Sequence, residues 1–271
     1  MGLMFYHQHK LIGEKRQLIK RLKRALEEAN GRAADSLASM TFPKASDTWP
    51  DDPVPRIIHQ MAKSNVSEWP VQWTVCQKAW KSTFPDFQYR MWTDGDIEGF
   101  MRSTYPRYLQ MYQSYRYDIN RYDFARYLIL YEFGGIYADM DIMPLRSFAS
   151  VLPNGRVSIG ESAWKNERFQ NALMTSPPRH PFWHYVMSEL IAQSARRPPA
   201  KFRSVLSMTG PDVINGVSRV VPVDMIHSLP WKLFSSEHNM TFLSSLDTLQ
   251  VALKDMPKET YAVHLGTCSW C

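Results

Sequence analysis

The stretch DINRYDFARYLILYEFGGIYADMDIMPL, residues 118–145, decides the fold of this chain. Apolar and aromatic side chains recur with helical spacing in its first half, which predicts a helix over residues 119–132. The glycine pair at 134–135 ends that helix, because glycine readily adopts the left-handed conformation that a chain reversal needs. A strand is then expected to begin with the segment Ile-Tyr-Ala at 136–138. The stretch therefore predicts a helix, a tight turn and a strand in direct succession, which is a unit of α/β proteins.

Two acidic residues follow the expected strand. Asp139 and Asp141 are separated by one residue, and Pro144 is expected to stop the element shortly after them. Side chains at i and i+2 of a strand point to the same face, and the carboxyl end of a strand borders the crevice where α/β proteins bind ligands. Two close carboxylates repel each other unless one is protonated or a cation lies between them. The pair therefore predicts a divalent metal with open positions for a diphosphate, and a solvated turn is the alternative for the motif alone.

A further acid and an arginine lie on the preceding helix. Asp123 and Arg126 are three residues apart, so they share one face of that helix. The glycine turn folds the strand back along the helix, and we expect this to bring both side chains to the rim that holds the two acids of the strand. For Asp123 and Arg126 taken alone, an ordinary surface ion pair is the preferred interpretation.

The sequence before this stretch shows the same alternation of strand and helix signals. A short buried strand is expected at residues 56–60, a helix at 71–83 and an aromatic strand at 87–92. Residues 93–96, Thr-Asp-Gly-Asp, are expected to form a turn or the cap of a following helix. Alternation of this kind favours an α/β domain with a mostly parallel sheet. We expect that domain to span residues 53–271.

The composition excludes several classes of protein. The chain has 271 residues, of which 44% are hydrophobic and 21% are charged, which is typical of a globular domain and unlike a disordered or collagen-like chain. Three cysteines cannot build a disulfide framework, and a reducing compartment is the simpler interpretation. The sequence contains neither an apolar run long enough to span a bilayer nor a signal-peptide pattern, so we expect a cytoplasmic protein.

Positive charge is concentrated near the N-terminus. The net charge is +6, and residues 1–32 contain eight Lys or Arg against three Glu, which leaves the rest of the chain almost neutral. Nucleic-acid grooves are strongly basic, so the almost neutral charge of residues 33–271 argues against one there. Residues 10–29 predict a basic amphipathic helix within an N-terminal region of residues 1–40. We favour packing of this helix on its own domain, and peripheral contact with an anionic membrane surface is the alternative.

The segment RYDFARYLILYEFGGIYADMDIMPL, residues 121–145, resembles the signature of glycosyltransferases that carry a DXD sugar-binding region, glycosyltransferase family 32. That family includes the fungal initiating α-1,6-mannosyltransferases, the inositol-phosphoceramide mannosyltransferases and α-1,4-galactosyltransferases, and the clostridial glucosylating toxins are more distant relatives. Further segments match the family in the expected order: PRIIHQ (55–60), WKSTFPDFQYRMWTD (80–94), NALM (171–174), RHPF (179–182), TGP (209–211) and HLGTCSW (264–270). The resemblance thus covers about residues 53–271.

The resemblance implies a GT-A fold, that is, a single Rossmann-like nucleotide-sugar-binding domain with a mixed, mostly parallel sheet and helical insertions. It also implies a retaining transfer of a hexose from a UDP- or GDP-linked sugar to a glycan, glycolipid or protein acceptor. Mn2+ or Mg2+ is the implied cofactor, and no nucleic acid is expected as a partner.

The resemblance assigns catalytic roles to the four rim residues. Asp139 is expected to contact the sugar and ribose of the donor, and Asp141 to ligate the metal on the diphosphate. The expected metal ligands are Asp139, Asp141 and His264. Asp123 and Arg126 are expected to hold the transferred sugar and its linking oxygen.

A wider set of donor-binding residues is implied beyond those four. Its members are His59, Gln60, Tyr137, Asn171, Ser269 and Trp270. Tyr137 matches an aromatic donor-site residue that precedes the DXD motif, whereas Ser269 and Trp270 match a terminal pair that closes on the diphosphate and metal. His59 and Gln60 lie beside the expected pocket for the base.

Two alternative functions use the same acidic motif. A phosphohydrolase of the haloacid-dehalogenase type would use Asp139 as its nucleophile, although that class places the motif near the start of its domain. A glycan-binding, inactive transferase-like module is the second alternative. Nucleotide release stimulated by manganese indicates the transferase, whereas phosphate release from a generic phosphoester indicates the hydrolase.

Overall fold

The computed structural model of the chain describes four ranges: residues 51–163, 168–194, 201–234 and 256–267, without the side chains of 201–204. The expected basic helix at 10–29 and the region 1–40 lie outside the described residues. The expected closing pair, Ser269 and Trp270, also lies outside them. The expected domain boundaries at 53 and 271 remain predictions.

A mixed six-stranded sheet forms the centre of the fold. The strands described are β1 (Ile57–Met61), β2 (Gln88–Trp92), β3 (Gly135–Ala138), β4 (Ile142–Pro144), β5 (Val157–Glu161), β6 (Phe169–Ser176), β7 (Ile226–Leu229) and β8 (Ala262–His264). The order in the large sheet is β2-β1-β3-β6-β5-β7, while β4 and β8 form a separate antiparallel pair. In the large sheet β1–β2, β1–β3 and β5–β7 are parallel, and β3–β6 and β5–β6 are antiparallel. The predicted α/β class with a mixed, mostly parallel sheet is confirmed.

Helices pack on the sheet and connect its strands. Those described are α1 (Val71–Thr83), α2 (Asp94–Thr104), α3 (Pro106–Ser114), α4 (Asp118–Phe133), α5 (Phe182–Ser194), α6 (Lys201–Met208), α7 (Pro211–Ser218) and α8 (Trp231–Phe234). The helices and strands predicted before residue 133 are confirmed as β1, α1, β2 and α4, with their ends shifted by at most one residue. Within the described ranges, none of these helices combines the length and the apolar character needed to cross a membrane.

Residues 93–96 form the cap of a helix rather than an isolated turn. Thr93 is the N-cap of α2, and its hydroxyl accepts a hydrogen bond from the N–H of Asp96. The Asp96 carboxylate in turn accepts from the N–H of Thr93 at 2.9 Å. This capping box satisfies two backbone donors that the first turn of a helix leaves without partners.

Side chains of β3 alternate between two hydrophobic cores. Tyr137 belongs to the larger core, which includes Phe124 of α4 and Trp183 of α5. Ile136 belongs to a second core, which includes Trp80 of α1. Because successive strand residues point to opposite faces, β3 is covered on both sides. All residues of α4 from 123 to 130 are buried, so polar side chains in that segment face the protein interior.

The acidic motif interrupts the extended chain. Asp139 and Asp141 follow β3, as expected, but they lie in a turn rather than in a continuing strand, because the N–H of Ile142 donates back to the carbonyl of Asp139 at 3.0 Å. The short strand β4 follows this turn, ends at Pro144 and pairs with β8. This pairing places His264 opposite Ile142, next to Asp141. The described segment 256–267 therefore supplies residues that contact the acidic motif.

Candidate functional site

The acidic turn lies at the carboxyl end of β3, beside the carboxyl ends of the parallel strands β1 and β2. Two hydrogen bonds to the backbone of Asp139 fix the start of this turn. The N–H of Asp139 donates to the carbonyl of Ala172 at 2.8 Å, and the Gln60 amide donates to the carbonyl of Asp139 at 3.1 Å. The position agrees with the general location of ligand sites in α/β sheets.

Arg126 is the positive centre of the site. Its Nη2 lies 3.2 Å from Oδ1 of Asp123, and its Nη1 lies 3.0 Å from Oδ1 of Asp139. Nη1 also donates to the carbonyl of Asn171 at 2.9 Å. The side chains of Asp123 and Arg126 are each only 4% exposed. The interpretation of this pair as a surface ion pair is therefore wrong, because β6 and the segment before α7 cover it.

Asp123 is held by three donors. Besides Arg126, the Asn171 amide donates to Oδ1 at 2.9 Å and the Thr209 hydroxyl donates to Oδ2 at 3.0 Å. The Asn120 amide donates to the Thr209 hydroxyl at 2.7 Å and fixes its direction. Burial raises the pKa of Asp123 to about 6, although Arg126 and the other donors oppose the shift. The site thus includes Thr209 and Asn120, which sequence reasoning did not assign to it.

Tyr137 supports the Arg126–Asp139 contact from the sheet side. Its hydroxyl donates to Oδ1 of Asp139 at 2.6 Å, and its ring centroid lies 4.7 Å from the guanidinium carbon of Arg126. Burial and the nearby charge of Asp141 raise the pKa of Asp139, and Arg126 opposes that rise. The expected grouping of Asp123, Arg126 and the acidic motif on one rim is what the structure contains.

Asp141 occupies the other end of the turn. Its Oδ2 accepts from both the N–H and the hydroxyl of Thr267, at 2.8 and 3.1 Å. Its Oδ1 lies 3.4 Å from Nε2 of His264. Burial alone would raise the pKa of Asp141, but His264 and the Thr267 donors outweigh it and lower the pKa to about 2. Asp141 is consequently an anion at neutral pH.

The expected metal ligands have the chemistry that Mn2+ or Mg2+ prefers. Asp139 and Asp141 supply carboxylate oxygens, and His264 supplies an imidazole nitrogen, which are donors that bind divalent cations. These side chains are 29%, 11% and 20% exposed, unlike the 4% of Asp123 and Arg126, so they form the face of the site that solvent reaches. Within the described ranges, no three acidic, histidine or cysteine side chains are already grouped as a metal cluster. The donor chemistry of Asp139, Asp141 and His264 therefore fits a divalent cation.

His59 does not present its ring to the rim. The imidazole is fully buried, its Nδ1 accepts from the Trp92 indole at 3.1 Å, and its Nε2 lies 3.1 Å from the carbonyl of Gly134. The Gln60 side chain is equally buried and links the hydroxyl of Tyr89 to the acidic turn. The structure therefore places both side chains beneath the turn as supports, and their expected role beside the base stays a prediction.

Residues 70–158 match the family described as a glycosyltransferase sugar-binding region containing a DXD motif. Inositol phosphoceramide mannosyltransferase 3 of Schizosaccharomyces pombe is 45% identical over 89 residues, which are 33% of this chain and 24% of that protein. Inositol phosphoceramide mannosyltransferase 1 of the same organism is 32% identical over 168 residues, which are 58% of this chain and 49% of that protein. The chain thus spans less than half the length of either relative.

A solved structure titled PaToxG glycosyltransferase matches the fold with a TM-score of 0.50 at 18% identity. The match covers 77% of this chain and 79% of that one. The predicted GT-A fold and the predicted resemblance to DXD glycosyltransferases are confirmed.

Proposed function

We propose that this chain, which carries a DXD glycosyltransferase sugar-binding region over residues 70–158, is a retaining hexosyltransferase that uses a nucleotide sugar and a divalent cation. Its matched relatives are named inositol phosphoceramide mannosyltransferases. These names support mannose as the hexose and a glycolipid with an inositol phosphate head group as the acceptor. Mn2+ is the preferred ion because the donor set combines carboxylates with an imidazole.

One observation carries the proposal. Three carboxylates, those of Asp123, Asp139 and Asp141, lie along one turn and one helix, and within the described ranges Arg126 is the one cationic side chain paired with the first two. Asp141 is an anion at neutral pH, and its Oδ1 lies 3.4 Å from Nε2 of His264. An arrangement of this kind supports binding of a cation at one end and orientation of a polar sugar at the other.

The mechanism requires that charge on a departing diphosphate be stabilised. A bound cation supplies that stabilisation, and Asp141 and His264 would hold it. Asp139 and Arg126 would orient the sugar and its linking oxygen beside the cation. Preorganised contacts to developing charge are typically worth about 3 kcal/mol each, which sets the scale for loss on substitution.

Retention of the anomeric configuration is better explained by front-face attack of the acceptor than by a covalent sugar–enzyme intermediate. A covalent intermediate needs a free carboxylate, but Arg126, Asn171 and Thr209 already contact the oxygens of Asp123. Its side chain is also only 4% exposed. A carboxylate held by three donors is a weak nucleophile. Isolation of a sugar bonded to an enzyme carboxylate after rapid quenching would contradict this step.

The test is a screen of UDP- and GDP-linked sugars with and without Mn2+. We expect one sugar nucleotide to raise the thermal unfolding temperature in the presence of Mn2+ and to be cleaved to a nucleoside diphosphate. Inositol phosphoceramide in detergent micelles then serves as the acceptor, and NMR of the product reports the anomeric configuration. Phosphate release from a generic phosphoester would indicate the hydrolase, and absence of donor cleavage with every sugar would indicate a binding module.

The metal role of the acidic turn needs a variant of its own. Asp141→Asn is expected to abolish metal-dependent donor cleavage and to leave the chain folded. Asp224→Asn is the matched control, because Asp224 is exposed and lies in a short helical turn before β7. Full cleavage activity in Asp141→Asn would remove the metal assignment.

Contact with a lipid surface through residues 10–29 is a further part of the proposal. A glycolipid acceptor is presented at a membrane, and a basic amphipathic helix binds anionic membranes. Sedimentation with anionic liposomes compares the full chain with a variant that lacks residues 1–32. Equal binding of both proteins would contradict this part.

A further inference from the structure

Asp141 is oriented by one residue from the segment that follows β8. Thr267 donates twice to Oδ2 of Asp141, from its N–H at 2.8 Å and from its hydroxyl at 3.1 Å. The N–H of Leu265 also donates to the backbone carbonyl of Asp141 at 2.9 Å. Asp141 is therefore fixed both at its backbone and at one carboxylate oxygen by a segment that is distant in sequence.

A third residue determines where the proton of the Thr267 hydroxyl points. The indole Nε1 of Trp73, on α1, lies 2.9 Å from the Thr267 hydroxyl oxygen. An indole N–H only donates and a carboxylate only accepts, so the hydroxyl must accept from Trp73 and donate to Asp141. The three side chains thus form a directional chain of hydrogen bonds.

This chain distinguishes the two oxygens of the carboxylate. Oδ2 already accepts two hydrogen bonds from Thr267. Oδ1 is the oxygen that faces Nε2 of His264 at 3.4 Å. Oδ1 is consequently the oxygen best placed to bind a cation together with the imidazole.

We propose that Thr267 and Trp73 are positioning residues for the cation site, because they hold the Asp141 carboxylate with Oδ1 directed toward His264. This inference rests on the proposed metal-dependent function. Residues that hydrogen-bond to a metal ligand typically change metal affinity about 10-fold to 100-fold when they are replaced. Nothing in the sequence pattern joins Trp73 to Thr267, since 194 residues separate them.

The test measures Mn2+ affinity directly, from the electron paramagnetic resonance signal of free Mn2+ during titration of the full chain. Thr267→Val keeps the shape and the N–H but lacks the hydroxyl, and we expect it to weaken Mn2+ binding about 10-fold. Thr267→Ser restores the hydroxyl and is expected to bind within about twofold of the parent chain.

The second arm removes the indole donor. Trp73→Phe keeps an aromatic ring and is expected to weaken Mn2+ binding at least about threefold, which is less than the effect of Thr267→Val because Thr267 keeps its hydroxyl. Trp69→Phe is the matched control, because the Trp69 indole donates to the carbonyl of Lys63 and its ring lies only 6.2 Å from that of Trp73. We expect Trp69→Phe to bind Mn2+ like the parent chain.

Two results would overturn the inference: parent-like Mn2+ affinity in Thr267→Val, or equal losses in Trp73→Phe and Trp69→Phe. Thermal unfolding of each variant separates weaker binding from loss of the fold, and the comparison of Trp73→Phe with Trp69→Phe keeps the test valid if Thr267→Val unfolds the chain. Asp141→Asn distinguishes this inference from the proposed function. If Asp141→Asn loses Mn2+ and Thr267→Val does not, only the positioning role fails, whereas unchanged binding in Asp141→Asn removes the metal site itself.

Discussion

Arg126 and Asp139 form an ion pair that joins α4 to the acidic turn, with 3.0 Å between Nη1 and Oδ1. The arginine side chain is 4% exposed, so its charge is almost fully removed from water. Burial of a charge without a partner costs several kcal/mol, and the aspartates on either side offset that cost. The same contact therefore stabilises the fold and fixes the direction of a residue of the proposed donor site.

Replacement of Arg126 by Met is expected to destabilise the chain by about 3–5 kcal/mol, because it leaves the buried carboxylate of Asp123 and the partly exposed carboxylate of Asp139 without their cation. Urea denaturation gives the free energy of unfolding. Arg121→Met is the matched control, since Arg121 pairs with Asp118 at the same i, i+3 spacing on the same helix but at the surface. That change is expected to cost less than about 1 kcal/mol. Equal losses in the two variants would contradict the buried pair.

A second prediction concerns the turn between α4 and β3. Gly135 has a φ of +89°, and a Cβ placed on it would lie 2.5 Å from the carbonyl oxygen of Ile57. Gly135→Ala is expected to destabilise the chain by more than about 2 kcal/mol, because strained backbone and a backbone clash add together. Gly99→Ala, inside α2 with no atom within 4 Å of the added carbon, is expected to stabilise it by about 0.5–1 kcal/mol. Denaturation curves of both variants check the difference in sign.

The helix, glycine turn and strand of the central stretch could be predicted because their signals are local. The burial of Asp123 could not, since Asn171 and Thr209, which cover it, lie 48 and 86 residues away. Helical spacing shows which residues share a face but does not show what packs on that face.

The acidic turn was harder to predict for the same reason. A strand pattern predicts the direction of Asp139 and Asp141 only if the strand continues, and here the partner of β4 is β8, near the end of the described residues. The buried strand that contains His59 could be predicted, but the partners of its ring could not, because they come from β2 and from the turn after α4.

The buried imidazole of His59 predicts a pH dependence. Burial lowers its pKa to about 3, and Trp92 donates to Nδ1, so the neutral form with the proton on Nε2 is favoured in the folded chain. The unfolded chain binds a proton near pH 6.5, so this contribution to stability is complete above that pH and is lost as the pH falls from about 6.5 toward 3. Lowering the pH to 4.5 is expected to remove about 3 kcal/mol through this residue.

NMR titration isolates His59 from the acidic groups, among which the raised pKa values of Asp123 and Asp139 act in the opposite direction. The ring resonance of His59, assigned by its absence in His59→Gln, should not shift between pH 7.5 and pH 5. A midpoint near the ordinary histidine value would contradict the neutral, doubly bonded imidazole.

Removal of the Tyr137 hydroxyl tests whether the support of Asp139 matters for function beyond stability. Tyr137→Phe keeps the ring beside Arg126 and removes only the 2.6 Å bond to Oδ1 of Asp139. A hydrogen bond to a charged group contributes about 1.5–3 kcal/mol, so stability should fall by an amount in that range.

Tyr105→Phe is the matched control, because its hydroxyl donates to the Glu132 carboxylate at 2.7 Å, away from the acidic turn. Both variants are expected to lose a similar amount of stability. Only Tyr137→Phe is expected to lower kcat/KM for the sugar nucleotide, by about 10-fold, because the Asp139 carboxylate then loses one of the contacts that fix its direction. Equal kcat/KM in the two variants would leave Tyr137 with a purely structural contribution.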